Sequence, residues 1–334
     1  METGPLAFEP IFKAKMWGGR RLEQLFAKPL PRGELIGESW ELADLPGDES
    51  AIREGPHKGR RIGELVAAQA DALLGRARPV RGRFPLLIKF LDANRDLSVQ
   101  VHPTREMAAA DPEAHVKNEA WYVVAADPGA TIYHGLNPGV TRDQLTAALA
   151  SGDVAPLLRR IPARPGDCHY LPSGTVHALG AGVVVAEVQT PSDTTYRLFD
   201  WNRIDEATGR PRELHIEQAM RCIDFDARPP VRPTERAYGA GTWPGAVRIA
   251  RCEHFTIDRV SLTPGSRQDI QMDEMAVWIV IEGELALSCG GVGGNLTARA
   301  GDTVLLPAAM RKWELRVIRP SVWLDVRIPE EASL

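Results

Sequence analysis

The chain has 334 residues, 44% of them hydrophobic and 25% charged, with a formal net charge of −4. That size accommodates two domains, and the small negative charge gives no basis for a nucleic-acid or anionic-membrane partner. No apolar run approaches the roughly 20 residues that span a bilayer, the first residues lack the regions of a signal peptide, and Cys168, Cys222, Cys252 and Cys289 form no CxxC pair; a cytoplasmic protein without a disulfide framework is expected.

In chain order, residues 6–12 read as an extended segment broken by Pro10, and Gly18-Gly19 permits a tight turn. Gly37-Glu38-Ser39-Trp40-Glu41-Leu42 alternates like a strand, with Glu38 and Trp40 on one side. Residues 59–74 change period: Ile62, Leu65, Val66 and Leu73 share a helical face whose one polar member is Gln69. Residues 84–91 form an apolar strand carrying Lys89, a lysine whose burial demands a paired charge or a lowered pKa.

Next comes Leu97-Ser98-Val99-Gln100-Val101-His102-Pro103. Side chains change face at every strand residue, so Gln100 and His102 stand side by side, with an apolar row behind. Pro103 ends the ladder because it has no N–H to donate. An amide oxygen and an imidazole on one wall make half of a metal site. A short helix over 104–110 follows, then a strand from Lys117 through Val124. Thr141-Arg142-Asp143-Gln144 is a capping box that opens a helix ending near Gly152. After Pro165 strands return, with a turn at Ser173-Gly174 and another strand over 183–189. Three prolines and several charges over 227–236 mark a linker between an N-terminal domain, 1–226, and a C-terminal one, 237–334.

An internal repeat supports that division. Gly166-Asp167-x-x-x-Leu171-Pro172, leading to His177, recurs as Gly301-Asp302-x-x-x-Leu306-Pro307, leading to Lys312. The offset is constant at 135 residues (166 to 301, 177 to 312). A lysine stands where the first copy has a histidine, so the metal is expected in the first unit alone.

Gly-Asp-x-x-x-Leu-Pro-x-Gly-x-x-His is similar to the second sequence motif of the cupins. Together with residues 97–103, Lys117-Asn118-Glu119 and residues 189–203, it resembles the class I phosphomannose isomerases of the short bacterial type. The resemblance runs from about Leu6 to the C-terminus. It implies a mainly β fold of two cupin-like double-stranded β-helix barrels with a few added helices, the second barrel degenerate. It also implies one zinc ion per chain, held by Gln100, His102, Glu119 and His177. Two imidazoles, one carboxylate and one amide oxygen suit zinc or another borderline divalent ion.

The implied reaction interconverts mannose 6-phosphate and fructose 6-phosphate through an enediol. Catalysis then needs stabilisation of the enediolate oxygens and a proton shuttle. Carried over from the family, Arg197 is the active-site arginine, for enediolate or phosphate. Lys117 and Asp193 are the candidate bases. Lys89, Glu38 and Trp40 are expected to line the substrate pocket. The alternatives are another cupin sugar-phosphate isomerase, a metal-dependent oxygenase, or a non-catalytic sugar-phosphate sensor. Gln100-x-His102 in place of His-x-His argues against the oxygenase, and the presence of Lys117, Asp193 and Arg197 argues against the sensor. The remaining histidines, His57, His115, His134, His169, His215 and His254, lack a motif and are taken as non-ligands.

Overall fold

The computed structural model describes residues 4–205, 208–227, 245–289 and 295–329. The linker expected at 227–236 lies, apart from Ala227, outside the described residues. The architecture is mainly β, as expected, with antiparallel pairing throughout and sheets that stay open. Among the described residues no helix is long and apolar enough to cross a membrane.

The first unit is two facing sheets. One has six strands, in the spatial order Cys168–Leu171, Glu119–Ala126, Val183–Gln189, Leu87–Ala93, Ile36–Leu42 and Ile11–Gly19. The other has five, in the order Leu158–Pro162, Thr131–Leu136, His177–Leu179, Val99–Val101 and Tyr196–Phe199. These are runs of β-branched and aromatic residues whose alternate positions face opposite ways. The outward residues Val99, Val101, Tyr196 and Leu198 bury against the helices Arg142–Ser151 and Ile216–Cys222, chiefly through Leu145, Ala219 and Cys222. The helix at Arg142 starts on the expected capping box, and its Gly152 C-cap takes the left-handed conformation.

The interior of the first unit is stratified by strand alternation. Val123, Val185, Leu91, Leu179 and Ile132 form an apolar plug. Two residues further along the same strands stand Trp121, Glu187, Lys89, His177 and His134, where polarity begins.

The second unit is an eight-stranded sheet built on two long strands, Ala276–Cys289 and Trp313–Arg327, which pair with several bulges. Its interior is filled by side chains that include Trp278, Val280, Leu306, Leu315 and Trp323. The sequence repeat is a structural repeat: the strands Cys168–Leu171 and Thr303–Leu306 occupy matching positions, and Gly166 and Gly301 both have φ of 90°. The short strand Leu6–Ala7 pairs with Thr303–Leu306, so the N-terminus belongs to the second unit's sheet.

Two elements differ from their sequence patterns. The strand at Gln100 is only Val99–Val101, and the helix Ile62–Leu74 breaks at Gln69 (φ −153°). Leu73 and Leu74 are buried on the far side of that break.

Candidate metal centre and active site

Register places the candidate residues before any side-chain detail does. Across the five-stranded sheet, Arg197 is opposite Gln100, Gln100 is opposite His177, and His177 is opposite His134. These four form one row. On the facing sheet, Glu119 pairs with Gln189, while His169, Trp121, Glu187, Lys89 and Trp40 form a second row. Both rows face the interior above the apolar plug.

His102, Glu119 and His177 converge there, fully buried, with potential ligand atoms all within 4.8 Å of one another. His102 Nε2 lies 3.2 Å from Glu119 Oε2, and His177 Nε2 lies 3.1 Å from Oε1. Each imidazole has its other nitrogen against a main-chain carbonyl: His102 Nδ1 at 3.1 Å from the oxygen of Thr194, His177 Nδ1 at 2.8 Å from that of Thr175. A carbonyl can only accept, so each Nδ1 carries a proton and Nε2 is the nitrogen turned to the carboxylate. Burial, then Lys117, depresses the His102 pKa to about 3, so this ring is neutral at ordinary pH. Glu119 titrates well below the usual range: burial alone would raise it, but Lys117 beside it overcomes that effect.

The result is acceptor facing acceptor. His102 Nε2 and Glu119 Oε1 are buried with no hydrogen-bond partner among the described residues, and Glu119 Oε2 has only its ion pair with Lys117. Buried polar atoms are rarely left so, and a cation at their common focus resolves all three. The Gln100 amide nitrogen lies 3.2 Å from His177 Nε2; a half-turn of that amide offers its oxygen instead. Lys117 precedes the strand that begins at Glu119, yet its Nζ sits 3.0 Å from Glu119 Oε2.

Buried polar groups continue along the second row. Lys89 is buried, with Nζ 3.6 Å from Glu38, 3.5 Å from Glu187 and 3.9 Å from Asp193, and 4.5 Å above the Trp40 ring. Burial alone would lower its pKa; the three carboxylates raise it instead, so Lys89 stays charged. Glu38 accepts a 2.7 Å hydrogen bond from Trp40 Nε1 and also meets Lys15 at 3.1 Å. Burial would raise the Glu38 pKa, but Lys89 and Lys15 bring it to about 2. Asp193 is the exposed member of this group.

Arg197 donates from Nε to Ser98 Oγ at 3.3 Å and from one terminal nitrogen to the Glu213 carbonyl at 2.7 Å. Its row-mate Gln100 stands beside His177.

Two interior groups carried no motif. Glu187 accepts a 2.7 Å bond from Trp121 Nε1, and burial, then Glu119, raises its pKa. Its signal was a carboxylate in phase with Gln189 inside the apolar run Val183–Gln189. His134 is buried beside His177 in the row, 6.1 Å ring to ring from His169; an isolated histidine gives no sequence signal for such a place.

Residues 6–130 match the family model for the phosphomannose isomerase type I catalytic domain. Mannose-6-phosphate isomerase ManA of Bacillus subtilis is 35% identical over 316 residues, covering 94% of this chain and 96% of the relative. The chain belongs to the type I phosphomannose isomerases. Its fold matches the crystal structure of the mannose 6-phosphate isomerase from Bacillus subtilis with a TM-score of 0.86 at 31% identity, over 98% of this chain and 100% of that one. A zinc-bound mannose 6-phosphate isomerase, 16% identical, shares the fold with a TM-score of 0.73 over 98% and 100% of the two chains. Within the phosphomannose isomerase family, the oxygenase and sensor alternatives find no support.

Proposed function

We propose that the protein is a metal-dependent aldose–ketose isomerase that interconverts mannose 6-phosphate and fructose 6-phosphate through an enediol(ate). The observation that carries this reading is the buried convergence of potential ligand atoms on His102, Glu119 and His177, beside the charged cluster around Lys89. Gln100, His102, Glu119 and His177 would hold the ion. Three nitrogen and oxygen ligand types with one anion favour zinc, in keeping with the zinc-bound relative of the same fold. When bound, the ion supplies Lewis-acid stabilisation of negative charge on the enediolate oxygens.

The other residues set up proton transfer and orientation. Lys117, 3.0 Å from Glu119, and the exposed Asp193 are the proposed proton-transfer groups. Lys89 is held charged by its carboxylates and is placed to bind an oxyanion of the substrate. Glu38 and Trp40 form the wall that fixes Lys89. Arg197 presents a planar, permanently charged fork to the enediolate or the phosphoryl group.

A coupled assay on mannose 6-phosphate tests this directly. Chelation is expected to abolish turnover and Zn²⁺ to restore it; full activity in the metal-free protein would overturn the reading. Arg197→Ala is expected to lower kcat/KM about 100-fold with a small change in melting temperature. Equal damage to stability and rate would instead make Arg197 a structural ion-pair partner.

A further inference from the structure

Arg197 is not held by its own strand alone. Beyond Phe199 the chain turns sharply at Asp200, and Trp201 and Asn202 both take left-handed conformations (φ 57° and 53°). Such a pair of non-glycine residues is strained and persists only where neighbours enforce it. The enforcing contacts converge on the buried Asp200 carboxylate. Oδ2 accepts from Arg212 Nε at 2.8 Å and Oδ1 from Arg212 Nη2 at 2.5 Å, while Oδ1 also accepts from Arg203.

Each of those arginines reaches a segment that touches Arg197. Arg203 donates to the Asp96 carbonyl, and Trp201 Nε1 donates to the Leu97 carbonyl at 2.7 Å, so the turn fixes the residues leading into Ser98 and Gln100. Arg212 fixes residues 213–215. There the Glu213 carbonyl accepts the Arg197 guanidinium, His215 N–H donates to the Arg197 carbonyl at 2.8 Å, and Arg197 N–H donates to His215 Nδ1. The two anchors of the guanidinium, Ser98 Oγ and the Glu213 carbonyl, therefore depend on one carboxylate.

We propose that Asp200 is a positioning residue that aims the Arg197 guanidinium into the pocket by clamping Arg203 and Arg212. The inference rests on the reading of Arg197 as a substrate-contacting group. Without the carboxylate, Arg203 and Arg212 face each other as like charges, and residues 212–215 keep only their bonds to Arg197 itself. A small displacement of an orienting fork costs a large factor in rate.

The test is a double-mutant cycle, read as kcat/KM. Asp200→Asn is expected to lower kcat/KM at least tenfold in the wild-type background and less than twofold in the Arg197→Ala background. Hydrogen exchange at the Arg197 and His215 amides is expected to quicken in Asp200→Asn. The same factor in both backgrounds would overturn the proposal while leaving the role of Arg197 intact. A wild-type kcat/KM for Arg197→Ala alone would overturn the reading of Arg197 and this proposal with it. If Asp200→Asn does not fold, Arg212→Ala, which removes the clamp from the partly exposed side, takes its place in the same cycle with the same expected and contrary results.

Discussion

Glu119 has two oxygens and two imidazole neighbours, so neutralising it removes both the ion's anionic partner and the counter-charge of Lys117. Glu119→Gln is expected to reduce bound metal from one ion per chain to under about a tenth after desalting, and activity by about 100-fold or more. Metal analysis alongside the assay checks both. Glu38 offers a pH test. Its folded pKa, about 2, lies below the unfolded value, so its contribution is complete above about pH 4.5 and decays as pH falls toward 2. Glu38→Gln is expected to cost about 3 kcal/mol at neutral pH, because Lys89 loses a buried partner. Urea unfolding should find that gap constant down to about pH 4.5 and closing below it. At this scale the sequence was legible where a strand alternates: Gln100 and His102, or Glu38 and Trp40, were placed on common faces by period alone. Glu187 and His134 were not, because a single polar residue in an apolar run carries no motif, and only the facing sheet shows what it meets.

The repeated element is the turn that opens each copy of the motif, Gly166-Asp167 and Gly301-Asp302. Both glycines sit at φ of 90°, which an L-residue adopts only under strain. Their surroundings differ. A Cβ at Gly166 would meet nothing within 4 Å, whereas one at Gly301 would come 2.6 Å from Phe26 Cβ. Gly166→Ala is therefore expected to cost about 1–2 kcal/mol, and Gly301→Ala about 3–5 kcal/mol once the clash is added. Thermal melts of the two variants check the order. The repeat was plain in sequence because turn chemistry is local. The helix at 62–74 was only half legible: its apolar face was right, but the break at Gln69 leaves no mark in the apolar period.

At the scale of the whole molecule, the two copies of the repeat share a core between them besides the ones each buries alone. The outer face of the six-stranded sheet, through Phe90, Tyr122, Ala186 and Val188, packs on Phe255, Ile257, Val277, Leu324 and Val326 of the second unit. Leu6–Ala7 pairs across, and buried Lys28 meets Glu41 at 2.8 Å and the Gly301 carbonyl at 3.0 Å. We propose that the boundary near residues 227–236 divides two sequence copies that unfold as one. Calorimetry is expected to show a single transition with matching calorimetric and van 't Hoff enthalpies. Chain order alone could not reveal this, since the contacts join residues near opposite ends. The plug of Val123, Val185, Leu91, Leu179 and Ile132 has its own effect on traffic. We propose that it closes the inner end of the catalytic site, so that substrate enters from the side of the exposed Asp193. Sugar and ion would then leave on the same side, and bound sugar would bar the ion's way out. Saturating substrate should slow the stripping of the ion by chelator, and a stripping rate indifferent to substrate would point to a back door.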